Sequence, residues 1–237
     1  MKIDVALEPS EIAQLGGRDL TGTTCVVFDV LRATSSMVTG LSGGVEEIIP
    51  VSTIEEALAK KGSRSDLLLG GERFGERIQG FDLGNSPFEY RDLRGAKIVT
   101  TTTNGTVALR ACVGAQRVFV GAILNLGAVV RMLKQSGVQS LLLVCAGTFE
   151  TLALEDVWAA GCLLRSFQDE MWSDAAHVAF GVVQRWPEPL AALKAARNGR
   201  ELLSKGRLDD VEWCAKESVL DVVGVMEEGV VRPVFGA

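Results

Sequence analysis

The chain has 237 residues and a mass of 25.3 kDa, which is enough for one large domain or two small ones. Hydrophobic residues make up 47% and charged residues 23%, a composition that excludes a disordered protein and a coiled coil. The net charge of −6 without a basic cluster argues against nucleic acid, and the longest uncharged stretch, Gln135 to Phe149, is too short to cross a membrane.

Seven short apolar runs predict the strands of a sheet. They are rich in Val, Ile and Leu, as strands buried on both faces are, and they alternate with helical patterns. The alternation predicts an α/β fold, a three-layer sandwich with a mainly parallel or mixed sheet. The predicted strands are Ile3–Leu7, Thr24–Val30, Glu47–Val51, Leu67–Leu69, Lys97–Thr100, Arg117–Val120 and Ser140–Val144.

Six helical patterns lie between or after these runs. The third carries a capping box in which Ser52 is the N-cap and Glu55 follows three residues later. Asn104 precedes the fourth and is a favourable N-cap residue. The predicted helices are Glu11–Leu15, Thr34–Leu41, Ile54–Lys61, Thr106–Cys112, Leu124–Gln135 and a long one at Leu154–Glu170.

The pattern changes after Trp172, becoming helical and polar to about Lys216. Val219–Val225 and Val230–Val234 then predict a closing hairpin. We therefore predict an α/β domain at 1–172 that carries the site, followed by a C-terminal helical and hairpin part at 173–237, which is either separate or part of the same domain.

The cysteines and the first residues indicate a cytoplasmic protein. The five cysteines are odd in number, widely spaced and free of CxxC pairs, which is typical of reduced thiols. The first residues include acids and no apolar run of signal-peptide length. A single histidine, His177, excludes a two-His metal site and lies in an apolar helical pattern, where a structural role is expected. The sequence leaves open whether the protein forms a homo-oligomer.

Three segments share the order of an apolar strand, a turn with glycine or hydroxyl residues, and a helix: Cys25–Leu41, Lys97–Leu109 and Leu141–Gly161. Ligands of open α/β sheets gather beyond the carboxyl ends of the strands, and helix N-termini there suit anions. Helix capping explains each turn alone. The three together favour an anion site.

Asp29 and Arg32 stand at the end of an apolar strand. A salt bridge that ties down the strand end is the structural interpretation. The functional one is a metal-binding carboxylate beside a cation that grips phosphate oxygens, and we favour it. The long glycine-rich connection from Gly70 to Pro87 is interpreted as an ordered loop that presents Glu72, Arg73 and Asp82.

Glu155 and Asp156 open the long helix. The helix dipole alone favours acids there, but one of them could also be a magnesium ligand or a general base. Cys145, at a strand end, is either a nucleophile or, as is commoner, a buried structural cysteine. Known phosphatase signatures are missing: Leu31 stands where a dehalogenase-type acid is needed, Thr151 stands where a cysteine-based phosphatase has arginine, and no Walker lysine motif is present.

Several of these segments, in this order, resemble the 2-phosphosulfolactate phosphatase family. They are Asp29 to Ser35, Gly71 to Arg73, Gly80 to Pro87, Thr102 to Thr106, and Cys145 to Thr148 with Glu155 and Asp156. The resemblance implies an α/β phosphatase that depends on Mg²⁺ and hydrolyses 2-phospho-3-sulfolactate, a small anionic phosphate ester, on the way to coenzyme M. The alternatives are a non-catalytic module that binds a small phosphorylated acid, and a phosphatase of another phosphorylated 2-hydroxy acid.

The predicted site follows from these residues. The catalytic group is Asp29, Arg32, Asp82, Cys145 and Glu155. The substrate-binding group is Arg73, Thr34, Ser35, Asn85, Asn104, Gly105 and Thr106. The metal group is Asp29, Glu72, Asp82 and Asp156. We expect a carboxylate or an activated water, not Cys145, to perform the attack.

Overall fold

The structure is a computed structural model that describes residues 1–236. Eleven strands within these residues form one sheet. The strands are β1 Lys2–Ala6, β2 Thr23–Phe28, β3 Glu47–Pro50, β4 Leu67–Arg73, β5 Glu76–Arg77, β6 Lys97–Thr101, β7 Arg117–Gly121, β8 Ser140–Cys145, β9 Met171–Trp172, β10 Val222–Glu227 and β11 Val230–Phe235.

The sheet consists of two parallel blocks joined by an antiparallel hairpin. Its strand order is β5-β4-β6-β3-β11-β10-β7-β2-β8-β1-β9. Strands β4, β6 and β3 are parallel, as are β7, β2, β8, β1 and β9. The hairpin β10–β11 pairs antiparallel with β7 on one side and with β3 on the other. The mixed sheet confirms the predicted α/β class.

Eleven helices of the described chain cover the sheet. The helices are α1 Pro9–Ala13, α2 Ala33–Ser42, α3 Ile54–Lys61, α4 Pro87–Tyr90, α5 Gly105–Ala111, α6 Leu126–Gln135, α7 Leu154–Leu164, α8 Asp174–Arg185, α9 Pro189–Ala195, α10 Arg197–Ser204 and α11 Leu208–Cys214. No helix within the described residues is both long and apolar enough to span a bilayer.

The core lies on both faces of the sheet, because successive side chains of a strand point to opposite sides. Strand β2 shows this most clearly. Val26 and Phe28 pack into the cluster under α6, α7 and α8, whereas Cys25 and Val27 pack into the cluster under α2 and α5. All four side chains are fully buried.

Some predicted helix bounds are wrong. The helix predicted to reach Glu170 ends at Leu164, because the chain tightens into successive turns that carry Phe167 into the core. The cap of α3 is Thr53, whose hydroxyl accepts from Glu56 N at 3.0 Å, and not Ser52. The first helix begins earlier, at Pro9, and the segment before Leu126 is a short 3₁₀ turn.

The C-terminal hairpin was predicted to close the fold, yet it lies in the middle of the sheet. Gly224 has no side chain, and a Cβ there would lie 2.9 Å from side-chain atoms of Leu41 and Val231. The hairpin is thus packed tightly between the two parallel blocks. The division of the chain at residue 173 stays a prediction. In the structure, both parts contribute strands to the same sheet.

Candidate active site

One cleft collects residues from all three predicted turns. The strands β2 and β8 are adjacent and parallel, so the loops that follow them begin side by side. The turn after β6 reaches the same place from the other block. Asn104 Nδ2 donates to the carbonyls of Ala146 at 3.2 Å and of Phe149 at 3.0 Å. The β4–β5 turn and helix α10 complete the cleft walls.

The cleft holds a volume of about 90 Å³ and is not the roomiest concavity. A groove of about 290 Å³ lies between α1 and α5, and another of about 320 Å³ lies at the edge formed by Met1 and Glu170. The first is almost wholly apolar, and the second is remote from the three turns. The small cleft is the one that holds the buried carboxylates.

Asp29 lies at the bottom of this cleft, just after β2, and is 9% exposed. Its Oδ1 accepts from Ala33 N at 3.1 Å in the first turn of α2. Burial raises the pKa of Asp29 to about 7; the bond from Ala33 N–H opposes the rise, and the charges of Glu72 and Glu155 add to it. This carboxyl group titrates near neutrality.

Gly105 permits the close approach of α5 to Asp29. A Cβ at this position would lie 2.4 Å from Asp29 Oδ2 and 2.7 Å from Ala33 Cβ, both of which are steric clashes. Gly105 thus leaves the space that α5 needs beside the carboxylate, and its predicted role in substrate binding stays a prediction.

Glu72, at the end of β4, is a second buried carboxylate of the cleft, with 8% exposure. Its Oε1 accepts from Thr103 N and its Oε2 accepts from Gly75 N, both at 2.7 Å. These bonds fasten the β4–β5 turn to the turn after β6. Thr103 also lines the cleft, and its Oγ1 is a buried oxygen for which the described residues provide no hydrogen-bond partner.

Glu155 and Asp156 lie in the first turn of α7 and are nearly inaccessible. Asp156 uses both oxygens on backbone groups, Val30 N at 2.8 Å and Gly147 N at 3.1 Å, and so braces two loops against each other. Glu155 Oε1 accepts from Asn198 Nδ2 at 2.6 Å. Burial raises the pKa of both carboxyls, and the charges of Glu155 and Asp29 raise that of Asp156 further.

Arg32 is the buried cation of the cleft, with 7% exposure. It follows a cis peptide bond and occupies the N-cap position of α2. Its Nη1 donates to Asp210 Oδ2 at 2.5 Å, and its Nη2 donates to Gly75 O at 3.3 Å. Among the described residues, Asp29, Glu72 and Glu155 have no cation within ion-pair distance.

A family model for 2-phosphosulpholactate phosphatase matches residues 11–229, which is most of the chain. The chain belongs to this family. It is 39% identical over 234 residues to a probable 2-phosphosulfolactate phosphatase of Carboxydothermus hydrogenoformans, covering 97% of this chain and 95% of the relative. It is 41% identical over 212 residues to the protein of the same description from Thermotoga maritima, covering 87% and 90%. Membership confirms the predicted enzyme class, a phosphoric monoester hydrolase that acts on a small phosphate ester.

Family membership leaves the roles of individual residues as predictions, and the structure brings only part of the predicted set together. Of that set, the residues that line the cleft are Asp29, Arg32, Glu72, Asn85 and Asn104. Gly105 borders it through Asp29.

Other predicted residues have side chains that are engaged elsewhere. Arg73 donates to Thr101 Oγ1 at 2.9 Å, and Asp82 Oδ2 accepts from Leu69 N at 2.8 Å. The hydroxyls of Thr34, Ser35 and Thr106 are each used in short-range bonds within their own turns. None of these five side chains lines the cleft.

Cys145 is fully buried in the core cluster on the α7 side of the sheet. Burial raises the pKa of its thiol well above the usual range, and the charges of Asp156, Glu11 and Glu155 raise it further. A thiol of this kind stays protonated near neutral pH and lacks access to the cleft. The geometry supports the expectation that Cys145 is not the nucleophile.

Mg²⁺ is the metal that the resemblance implies, and the donors of the cleft suit it. Within residues 1–236, no three His, Cys, Asp or Glu side chains are close enough to one another to enclose an ion. Mg²⁺ does not require such a cage, because it usually keeps several waters and binds one or two carboxylates together with substrate phosphate. Asp29 and Glu72 supply such carboxylates, and both lack a countercharge.

Sequence reasoning missed the residues that the C-terminal helices contribute. Asn198 and Lys205 line the cleft, and Asp210 lies directly behind Arg32. Phe74 and Phe149 meet at its mouth with their ring centroids 5.9 Å apart. The sequence analysis predicted this segment only as helical and polar. The apolar residues Leu202 and Val211, which are buried among polar neighbours, were the signal that could have shown which side of each helix points inward.

Proposed function

We propose that the protein hydrolyses 2-phospho-3-sulfolactate to 3-sulfolactate and phosphate, with Mg²⁺ as its cofactor, as a step toward coenzyme M. The observation that carries the proposal is the pair of buried carboxylates Asp29 and Glu72, which form no ion pair and line one small cleft together with Arg32. Buried charges are costly unless they are paired or bind a cation. A ligand that brings positive charge would therefore stabilise these carboxylates.

The residues divide into two roles. Asp29 and Glu72 would hold Mg²⁺, which when bound stabilises the charge that develops on the phosphoryl group. Arg32 binds the phosphoryl oxygens, because a guanidinium presents paired donors that match phosphate. Thr103 Oγ1, the buried oxygen without a partner, is free to donate to the same ligand.

The hydrolysis is balanced without a further reactant. Water attacks phosphorus, the bond between phosphorus and the ester oxygen breaks, and the released alkoxide takes up a proton to become the alcohol of sulfolactate. The attacking water gives its proton to a carboxylate, and the alkoxide receives that proton in turn, so no proton is gained or lost. Burial raises the pKa values of Asp29, which lines the cleft, and of Glu155, which lies outside it behind Asn198, and so makes both better proton acceptors than an exposed acid.

A substrate panel tests the proposal. The protein is treated with a chelator, and phosphate release is measured with and without added Mg²⁺ on 2-phospho-3-sulfolactate, on 2-phospholactate, which lacks the sulfonate, and on p-nitrophenyl phosphate. We expect turnover only with Mg²⁺, and a kcat/KM at least about tenfold higher for the sulfonate ester, the scale of one charge-assisted contact.

Each part of the proposal can fail separately. Full activity after exhaustive metal removal contradicts the Mg²⁺ requirement. A higher kcat/KM for another phosphorylated 2-hydroxy acid overturns the substrate while keeping the enzyme class.

A further inference from the structure

Arg32 is held by a buried network of hydrogen bonds. Asp210 Oδ2 accepts from Arg32 Nη1 at 2.5 Å, and Asp210 Oδ1 accepts from Ser86 Oγ at 2.6 Å. Asp210 is 3% exposed and Ser86 is 5% exposed, so water does not compete for these bonds. The network joins the turn after β2, the loop before α4 and helix α11, three segments that are far apart in the sequence.

Asp210 itself does not reach the cleft, whereas Arg32 lines it. Asp210 is in direct contact with the guanidinium and can act on a ligand through it. An arginine side chain loses rotamer entropy when it is fixed, and fixing it in advance removes that penalty from ligand binding. With Nη1 on Asp210 and Nη2 on Gly75 O, one edge of the guanidinium is anchored by protein acceptors.

The surrounding charges make this anchor necessary. Asp29 and Glu72 also line the cleft as buried carboxylates without a cation. These carboxylates attract the Arg32 guanidinium, and the ion pair with Asp210 opposes that attraction. The anchor on Asp210 keeps the cation and the carboxylates apart, so that each remains available to a ligand.

Helix capping does not account for Asp210. Acids are favoured in the first turn of a helix, and α11 has two of them there, Asp209 and Asp210. Asp209 is exposed and satisfies this preference from the surface. Asp210 is turned inward instead, and both of its oxygens accept from side chains.

We propose that Asp210 is a positioning residue that holds Arg32 for the phosphoryl group and away from the carboxylates Asp29 and Glu72. The inference rests on the proposed function, in which Arg32 binds phosphate. It also assigns α11 a part in the site, which the sequence had placed outside the catalytic region.

Asp210→Asn tests the inference. The amide oxygen can still accept from Arg32 and the NH₂ group can donate to Ser86 Oγ, but the amide carries no charge, so the charge-assisted bond to Arg32 is lost. We expect kcat/KM to fall about 10- to 100-fold, the scale for a displaced binding group, with KM raised and with inorganic phosphate bound more weakly in calorimetry. The matched control is Asp209→Asn, the same change one residue away on the surface, which should leave both values unchanged.

A double-mutant cycle separates positioning from a merely structural role. If Asp210 acts through Arg32, then Arg32→Lys combined with Asp210→Asn should lose little more than Arg32→Lys alone. Losses that multiply in the double variant overturn the inference, as does an Asp210→Asn protein that folds and keeps wild-type kcat/KM and phosphate affinity.

Ser86→Ala keeps the inference testable if Asp210→Asn does not fold. It removes only the second anchor of the carboxylate, and it should raise KM and weaken phosphate binding to a smaller degree, about 3- to 10-fold. Wild-type kinetics and phosphate affinity in Ser86→Ala would then count against the inference. Absence of turnover by the unchanged protein is a failure of the proposed function instead, and the phosphate affinities still decide the positioning role.

Discussion

Replacing Asp29 by asparagine should abolish activity. It should also remove a contribution to the free energy of unfolding that is lost as the pH rises. Asp29 is a desolvated carboxyl near Glu72 and Glu155, and its pKa is raised from the usual 3.8 to about 7. In the unfolded chain the same carboxyl titrates near its ordinary value. The native state therefore holds a proton that the unfolded state has already lost between these two values.

The sign follows from this difference. A carboxyl whose pKa is higher in the folded state stabilises the protein below its unfolded pKa, and that stabilisation disappears as the pH rises through about 7. Each pKa unit corresponds to about 1.4 kcal/mol. Since pH 5 lies about two units below the folded value, the wild type should lose about 3 kcal/mol of unfolding free energy between pH 5 and pH 8.5 through this group.

Urea unfolding of the chelator-treated protein at several pH values measures this loss. Asp29→Asn lacks the titrating group, so its stability relative to the wild type should rise by about 3 kcal/mol between pH 5 and pH 8.5. Asp209→Asn, which replaces an exposed acid, should show no such trend. At pH 8.5, Mg²⁺ should stabilise the wild type and not Asp29→Asn. A difference between the two proteins that does not vary with pH would refute the reasoning.

Three further substitutions probe the surroundings of the carboxylates. Gly105→Ala should destabilise the protein by about 1–3 kcal/mol and lower kcat, because its Cβ would lie 2.4 Å from Asp29 Oδ2. Thermal unfolding measures this, with Gly114→Ala as the control, since a Cβ at Gly114 meets nothing within 4 Å. Equal Tm values for the two variants would contradict the prediction. Cys145→Ser should keep kcat/KM within about tenfold of the wild type, since the thiol is buried away from the cleft; activity at background together with a phosphorylated cysteine in the wild type would show the opposite. Asn198→Leu removes a bond that lowers the pKa of Glu155, so the acidic limb of the kcat/KM profile should move to higher pH, and an unmoved limb would mean that Glu155 need not be ionised.

The sequence predicts the sheet well because the strands are continuous apolar runs. Each of the seven predicted strands exists, with ends that differ by a few residues. Strands β5 and β9 were missed because each is only two residues long, too short to form a pattern in the sequence. The central position of the C-terminal hairpin was also missed, since pairing order between distant strands leaves no local signal.

The candidate site divides in the same way. Asp29, Arg32 and Glu72 stand at strand ends, where chain position alone indicates a ligand site, and they line one cleft. Asp82 and Arg73 lie in the same glycine-rich connection as Glu72, yet their side chains bond to the backbone of β4 and to Thr101. Asp210 and Asn198 could not be predicted, because their importance depends on the packing of α10 and α11 over the cleft.

The most direct test of the central claim is phosphate release from 2-phospho-3-sulfolactate by the wild type, Asp29→Asn, Glu72→Gln and Asp209→Asn, each with Mg²⁺ present and each shown to be folded. The account predicts turnover by the wild type and by Asp209→Asn. It predicts a loss of at least about a hundredfold in both cleft variants, the scale for removal of a group that stabilises charge in the transition state. Near-native turnover by folded Asp29→Asn and Glu72→Gln would place the chemistry outside this cleft.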